Sequence, residues 1–284
     1  MTRALPISLS TASLYPLPLS KVLELAAKAG FDGIELVVTP GVYHRSTRMV
    51  RRWAHDQGLE IYSVHQPLLG LGPWRNPDRR IRDTIQVSLE LGCPLVVIHG
   101  PPARDWASPI AQQWLTTLQS CQKLINKTSL KLSVENPNLL PDSDGQFVFS
   151  RLRDLAAFVL EHDLWLTLDT THAGSGGIDL LQAYRQTRAR LVNVHLSDLN
   201  EKGLKGGNVL QRALYHHQPP GKGVLPLAEL IATMVQDGYA GPISLEISPL
   251  ALLPRTPAQR DRLLASVVDY VLDAMEKDKK RPPC

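Results

Sequence analysis

Histidine and acidic residues close a series of short apolar segments along the 284-residue chain. Six residues that can bind a metal ion fall at or near these ends: His65, His99, Glu135, Asp169, His195 and Glu246. If the segments are strands, their ends make up roughly a tenth of the chain, so chance would place about one of the nine histidines there. Three are found, and this excess predicts a shared site.

The chemistry of these side chains indicates what the site would hold. Carboxylates and imidazoles that converge on one point repel or desolvate one another unless a cation lies between them. Sites rich in oxygen and nitrogen ligands suit Mn²⁺, Zn²⁺, Mg²⁺ or Co²⁺. The cysteines, Cys93, Cys121 and Cys284, form no Cys-x-x-Cys pair, which argues against a structural zinc site and a disulfide framework. We therefore expect one divalent metal ion.

The elements that must position these residues alternate along the whole chain. Short β-branched runs give way to longer segments of helical period, and residues 95–98 (LVVI) are typical of a parallel strand buried on both faces. The predicted strands are 7–11, 33–38, 60–65, 95–99, 131–135, 165–169, 191–195 and 243–247.

Helices are predicted between these strands. Ser20 is expected to cap a helix over 21–29 that ends at Gly30, and 111–126 has one apolar face that includes Leu124. Other predicted helices are 152–161, 180–187, 227–237 and 260–275, and 70–77, 137–145 and 200–220 are predicted βα loops.

Eight strands alternating with helices over this length predict an α/β fold, a closed (β/α)8 TIM barrel formed by residues 1–284 as a single domain. Residues from about 276 to 284 are expected to form a flexible tail. The alternative is a doubly wound open sheet, but no Gly-x-Gly-x-x-Gly follows the first strand and no Walker lysine motif is present. Barrel active sites form at the carboxyl ends of the strands, where the six residues fall.

Composition excludes other classes of protein. With 43% hydrophobic and 20% charged residues the chain is not disordered, and no run approaches the roughly 18 apolar residues of a membrane span. The net charge of +4 suits an anionic small molecule or nucleic acid without requiring either. Sparse cysteines and the lack of a secretory signal predict a cytoplasmic protein, and an oligomer is left open.

Several strings, in this order, resemble the xylose isomerase-like TIM barrel superfamily, which holds sugar and sugar phosphate isomerases and epimerases and also endonuclease IV. They are residues 30–36 (GFDGIEL), 133–137 (SVENP), 168–173 (LDTTHA), 194–198 (VHLSD), 220–223 (PGKG) and 239–246 (YAGPISLE). The resemblance implies that Glu135, Asp169, His195 and Glu246 bind one divalent metal ion. It also implies that Glu135 and Glu246 move a proton at the carbon next to a carbonyl, through an enediolate that the metal stabilises.

Four more histidines match family positions: His65, His99, His172 and His217. In endonuclease IV such positions bind a second or third zinc, whereas in the sugar enzymes the matching histidines contact substrate. Tyr215 stands where endonuclease IV has an aspartate ligand, which puts the third zinc in doubt.

Other candidate positions concern the substrate. Trp74 and Arg75 are expected to cover the pocket as a loop. Gly221 and Gly223 are expected to adopt positive φ and let the backbone approach the mouth, and Lys222 between them is a candidate phosphate contact. The epimerases of free ketoses carry a glutamate and an arginine at two positions that hold Pro141 and Glu201 here, so their pattern is not met.

These observations predict a metal-dependent isomerase or epimerase of a sugar, a sugar phosphate or a related polyhydroxy carbonyl compound; a dehydratase or lyase with the same chemistry stays open. The first alternative is an endonuclease IV-like zinc phosphodiester hydrolase acting on abasic DNA. The modest charge and the lack of a dense Lys/Arg stripe disfavour nucleic acid as a partner. The second alternative is a catalytically silent metabolite-binding barrel.

Overall fold

The structure is a computed structural model that describes residues 3–138, 147–205, 209–252 and 256–276. Its strands close into a parallel barrel in chain order, with β1 paired to β8, so the predicted TIM barrel is confirmed and an open sheet is excluded. The strands are β1 (Ile7–Ser10), β2 (Gly33–Val37), β3 (Glu60–His65), β4 (Leu95–His99), β5 (Lys131–Glu135), β6 (Trp165–Asp169), β7 (Leu191–Leu196) and β8 (Ile243–Leu245).

The strand register brings the predicted site residues to one level of the barrel. His99 is the direct partner of Glu135, and Asp169 is the direct partner of His195. Since parallel strands point the same way, all their carboxyl ends open on one mouth.

The eighth strand is shorter than predicted, because the chain leaves the barrel after Leu245. The amide of Glu246 still donates to the carbonyl of Leu196 at 3.3 Å, but the amide of Ile247 donates to Oγ of Ser13 at 2.9 Å. Glu246 therefore follows the strand and does not belong to it.

The helices pack around the outside of the barrel or lie over its mouth. They are α1 (Leu19–Ala29), α2 (Pro40–Tyr43), α3 (Thr47–Asp56), α4 (Pro77–Leu91), α5 (Pro109–Ile125), α6 (Leu152–Glu161), α7 (Thr170–Ser175), α8 (Leu180–Thr187), α9 (Val209–Tyr215), α10 (Leu227–Gln236), α11 (Pro249–Leu252) and α12 (Pro257–Glu276).

Local details of the helices correct several predictions. The cap position before α1 is Pro18, so Ser20 lies inside the helix, while Gly30 ends it in the predicted left-handed conformation with φ of 88°. Leu124 is 59% exposed and lies off the buried face of α5. The predicted loop 200–220 contains α9 and a short 3-10 helix.

The barrel interior is lined by apolar side chains and by hydroxyl groups that satisfy one another. Oγ of Ser8 lies 2.7 Å from Oγ of Ser244, and Oγ of Ser133 lies 2.6 Å from Oγ1 of Thr167. Such pairs hold neighbouring strands together without leaving a buried polar atom unsatisfied.

Two predictions fall beyond the described residues. Most of the predicted loop 137–145 and the tail after Glu276 lie outside them. Within the part of the chain that is described, no helix is both long enough and apolar enough to cross a membrane.

Candidate metal centre

The structure gathers eight predicted residues into three overlapping sets at the mouth of the barrel. Within each set, one ligand atom per residue lies within 4.8 Å of the others. The sets are Glu135, Asp169, His195 and Glu246 (the central set); His65, His99 and Glu135; and Asp169, His172 and His217. Glu135 and Asp169 each belong to two sets, so the three sets form one connected cluster.

The central set surrounds Nδ1 of His195. This atom lies 2.9 Å from Oε2 of Glu246, 3.5 Å from Oε2 of Glu135 and 3.9 Å from Oδ2 of Asp169. His195 and Asp169 are fully buried, whereas the side chain of Glu246 is 17% exposed and faces the cavity.

Glu35, from β2, holds the imidazole of His195 from behind. Its carboxylate accepts a hydrogen bond from Nε2 of His195 at 3.0 Å, and also from Oγ of Ser63 at 2.8 Å and Nδ2 of Asn193 at 3.2 Å. Since Glu35 takes the hydrogen on Nε2, Nδ1 is the nitrogen that faces the three carboxylates and can bind a metal ion once it has lost its own proton. A carboxylate behind a histidine is the usual arrangement that orients a metal-binding imidazole.

The central set fits a divalent cation. Oδ2 of Asp169, Nδ1 of His195 and Oε2 of Glu246 are buried and have no hydrogen-bond partner among the described residues. Leaving such atoms unpaired costs about 1–3 kcal/mol each. Three carboxylates and one imidazole are a ligand set typical of Mn²⁺ or Zn²⁺ and contain no thiolate. These residues are therefore the ones that would hold the ion.

The other two sets flank the central one. Nε2 of His65 lies 3.2 Å and Nε2 of His99 lies 3.4 Å from Oε2 of Glu135. On the other side, Nδ1 of His172 lies 3.0 Å from Oε1 of Glu135, and Nδ1 of His217 lies 3.9 Å from Oδ2 of Asp169. Each flanking set adds two imidazoles to a shared carboxylate.

Carboxylates of the cluster favour positive charge on two of its histidines, His172 and His195. Burial favours neutral imidazoles, but Asp169 and Glu135 outweigh it and raise the pKa of His172 to about 9. Burial is likewise outweighed at His195, where Glu35, Glu135 and Glu246 raise the pKa well above its usual value. Burial also favours protonated carboxyls, yet positive charge on His195 lowers the pKa of Glu135 and Glu246. These two carboxylates therefore stay ionised.

Asn136 fixes the turn that carries Asp169 and His172. Its Oδ1 accepts a hydrogen bond from the amide of Asp169 at 2.7 Å, and its Nδ2 donates to the carbonyl of Asp169 at 3.2 Å. Oδ1 of Asp169 then accepts from the amide of His172 at 2.7 Å and caps α7. This chain of bonds leaves Oδ2 of Asp169 facing the cluster.

Asp198 organises the Pro-Gly-Lys-Gly loop. Its carboxylate accepts hydrogen bonds from the amides of Gly221 at 3.0 Å and Gly223 at 2.9 Å. Gly221 is left-handed, with φ of 78°, as predicted. Gly223 is not; a side chain there would overlap the carbonyl of Leu199 and the Asp198 carboxylate. The two glycines thus let the backbone of this loop wrap around the Asp198 carboxylate; they do not bring the backbone to the mouth of the barrel.

Lys222 lies away from the cavity above the cluster. It is exposed and lines a separate surface depression with Arg262. Tyr215, the residue that replaces an aspartate ligand of endonuclease IV, ends α9, and the ammonium group of Lys202 lies 5.8 Å from its ring centre.

A cavity of about 790 Å³ lies above the cluster and includes His99, Glu135, His172, His217 and Glu246 in its lining. Its volume is within the range of about 300–1,000 Å³ usual for small-molecule sites.

Trp74 lines this cavity from a 3-10 helix over Gly72–Arg75, where it is 3% exposed. Its Nε1 donates to Oδ2 of Asp83 at 2.8 Å, so the indole is a fixed part of the wall. Arg75, predicted to act with it, is exposed and is not among the described residues that line the cavity.

Sequence reasoning missed the supporting residues Glu35, Asn136 and Asp198. All three occur in the strings that carry the family resemblance, but no spacing rule singled them out. A carboxylate inside the otherwise apolar strand around Glu35 is the signal that could have found it, since a fully buried carboxylate needs partners.

Comparisons with known proteins agree with this architecture. The model of the xylose isomerase-like TIM barrel family matches residues 23–265. An uncharacterized protein of Mycobacterium tuberculosis is 27% identical over 95% of this chain and 98% of its own length. The 3-dehydroshikimate dehydratase of Pseudomonas aeruginosa is 28% identical over 84% of this chain, which spans only 37% of that protein.

A solved structure shows the same fold. The D-tagatose 3-epimerase-like protein superimposes with a TM-score of 0.72 over 96% of this chain and 99% of its own, at 19% identity. Since the family model covers most of the chain, this protein belongs to the xylose isomerase-like TIM barrel family.

Proposed function

We propose that this protein is a divalent-metal-dependent isomerase or epimerase of a sugar, a sugar phosphate or a related polyhydroxy carbonyl compound. The observation that carries the proposal is the central set, in which Glu35 turns Nδ1 of His195 toward three carboxylates. Epimerase-like and dehydratase relatives support chemistry that begins with loss of a proton next to a carbonyl.

Glu135 and Glu246 are the residues that we assign to proton transfer. They come from β5 and from the residue after β8, on different sides of the mouth, and both line the cavity. One carboxylate takes the proton from the carbon next to the carbonyl and, now a carboxylic acid, returns it to the neighbouring carbon in an isomerisation. In an epimerisation the other carboxyl group first takes up a proton from solvent and then delivers it to the opposite face of the carbon. A divalent ion bound by the central set would polarise the carbonyl and hydroxyl oxygens of the substrate.

Ionisation of these groups supports the assignment. Both carboxyl groups have a lowered pKa, so both are present as bases at neutral pH. If a hydroxyl group leaves from the neighbouring carbon after proton removal, the same residues give a dehydration, which is the reaction named for the Pseudomonas relative.

Hydrogen exchange into substrate tests the proposal. The protein is incubated with Mn²⁺ and a panel of ketoses, aldoses and cyclic keto acids in D₂O, and NMR follows the C–H bond next to the carbonyl. We expect metal-dependent exchange that is lost in Glu135→Gln and Glu246→Gln, with Glu161→Gln on the exposed face of α6 as control. Metal content is measured in each variant, because both residues are also predicted ligands. Exchange that persists in both variants would contradict the assignment.

A second candidate is a phosphodiester hydrolase related to endonuclease IV, and the two flanking sets favour it. Against it, Arg212 is the one lysine or arginine among the described residues that line the cavity, whereas DNA-binding sites depend on many phosphate contacts. Three bound zinc ions and salt-sensitive binding to an abasic duplex would favour this candidate. One metal ion and no affinity for the duplex would support the isomerase.

A further inference from the structure

Part of the cavity lining consists of apolar side chains on the loops that follow β3 and β5. We define the apolar wall as the six cavity-lining side chains of Leu68, Leu69, Leu71, Trp74, Phe147 and Phe149. The three leucines are 41%, 61% and 60% exposed. Contiguous exposed apolar side chains next to a cavity usually mark a binding surface, since they cost free energy in water.

Two of the three aromatic members of this wall, Trp74 and Phe149, are held in place by their surroundings. Trp74 donates its only polar hydrogen to Asp83, so it offers carbon alone to a ligand. Phe149 is 4% exposed and has a left-handed backbone, with φ of 64°, which costs free energy in a residue that has a side chain. Its ring packs on Gly100, where an added Cβ would lie 2.7 Å from Cδ2 of the ring. Strain at a cavity-lining residue indicates that the position of the ring matters.

We infer that the substrate carries an apolar substituent, an aryl or alkyl group, which binds against the apolar wall while its polyhydroxy carbonyl part faces the central set. This inference rests on the proposed function. An unsubstituted sugar would turn hydroxyl groups toward carbon on this side of the cavity and would lose their hydrogen bonds to water without replacement. A substrate with one apolar side avoids that loss.

Binding of matched glycosides tests the inference. Calorimetry compares 4-nitrophenyl and methyl glycosides of glucose, galactose and mannose, first with a chelator and then with Mn²⁺. Burying an aryl ring is expected to make the aryl member bind at least about tenfold more tightly in at least one sugar series. Equal affinity of aryl and methyl members in all three series, or no aryl binding up to about 10 mM, would overturn the inference.

Substitutions in the apolar wall test whether the preference for aryl glycosides depends on its leucines. The double variant Leu69→Ser/Leu71→Ser is expected to lose most of the aryl preference, and its exposed positions should leave folding intact. Leu160→Ser on α6 is the matched control, because Leu160 is 60% exposed and does not line the cavity. If the double variant changed the sedimentation coefficient and kept the aryl preference, the leucines would be a protein interface and the inference would be wrong.

The two proposals fail separately. Aryl preference without hydrogen exchange in any substrate would refute the proposed reaction and leave the apolar wall as a ligand-binding surface. Hydrogen exchange in unsubstituted sugars with no aryl preference would refute the inference and leave the reaction.

Discussion

The floor and the apolar wall of the cavity are built in opposite ways. The floor is the metal cluster; most of its residues end buried strands or follow them closely, and partners such as Glu35 and Asn136 fix them. The wall lies on loops, and its leucines are largely exposed. The contrast separates two tasks: the strands set what reaction the site can perform, and the loops set which compound it accepts.

Removing a ligand from the floor should have the largest effect. His195→Ala deletes the imidazole at the centre of the set and should weaken Mn²⁺ binding at least about hundredfold, measured by calorimetry. Since His195 is fully buried, Glu246→Ala, on a partly exposed side chain, is the companion variant, and circular dichroism checks folding of both. Unchanged Mn²⁺ affinity in a folded variant would show that the central set is not a metal site.

Glu35→Gln tests whether the carboxylate that holds His195 contributes to metal binding. The amide has the size of the carboxylate but no charge to orient and stabilise His195, so Mn²⁺ affinity should fall about 10- to 100-fold. Glu24→Gln, on an exposed side chain of α1, should leave the affinity unchanged. An equal loss in both variants would refute a specific role for Glu35.

Metal affinity should rise with pH. Histidine must be neutral to bind a metal, and neighbouring carboxylates raise the pKa of His195, the imidazole of the central set, well above its usual value against the effect of burial. At pH 7 this imidazole is therefore protonated, and Mn²⁺ must displace its proton. Affinity should increase between pH 6 and pH 9, by up to about tenfold per pH unit for each proton released. Calorimetry in two buffers of different ionisation enthalpy counts the protons, and a flat profile would contradict the prediction.

A change in the wall should have the smallest effect on the floor. Trp74→Phe removes the hydrogen bond to Asp83 and should lower the free energy of unfolding by about 1 kcal/mol, measured by urea denaturation. Mn²⁺ affinity should stay within about twofold of the original protein, because Trp74 belongs to none of the three sets. A larger loss would mean that wall and floor are coupled.

The sequence was sufficient to predict the barrel and the residues that meet at its mouth. Alternating strand and helix patterns identify the fold, and parallel strands bring residues such as Glu135 and His195 to one end whatever their separation along the chain. Whether these residues bind a metal stays a prediction that the experiments above address.

Other features depend on tertiary contacts that no local pattern records. Glu35 lies inside its strand, and its role depends on His195, 160 residues away. Gly223 is required by the close approach of Asp198, which does not follow from the motif around it. The apolar wall joins exposed leucines from one loop to phenylalanines from another, and such residues look like ordinary surface until the loops are placed together.

The short eighth strand has a consequence for how the reaction could be adjusted. Glu246 precedes Ile247, whose amide donates to Ser13, a residue of the 3-10 helix Thr11–Leu14 that follows β1. A substitution at Ser13 would therefore shift the Glu246 carboxylate and change its basicity, while the other three ligands of the central set stayed in their strands. Evolution or protein design can therefore adjust the basicity of Glu246 through Ser13, near the β1–β8 pair that closes the barrel, and leave the strand-borne metal ligands in place.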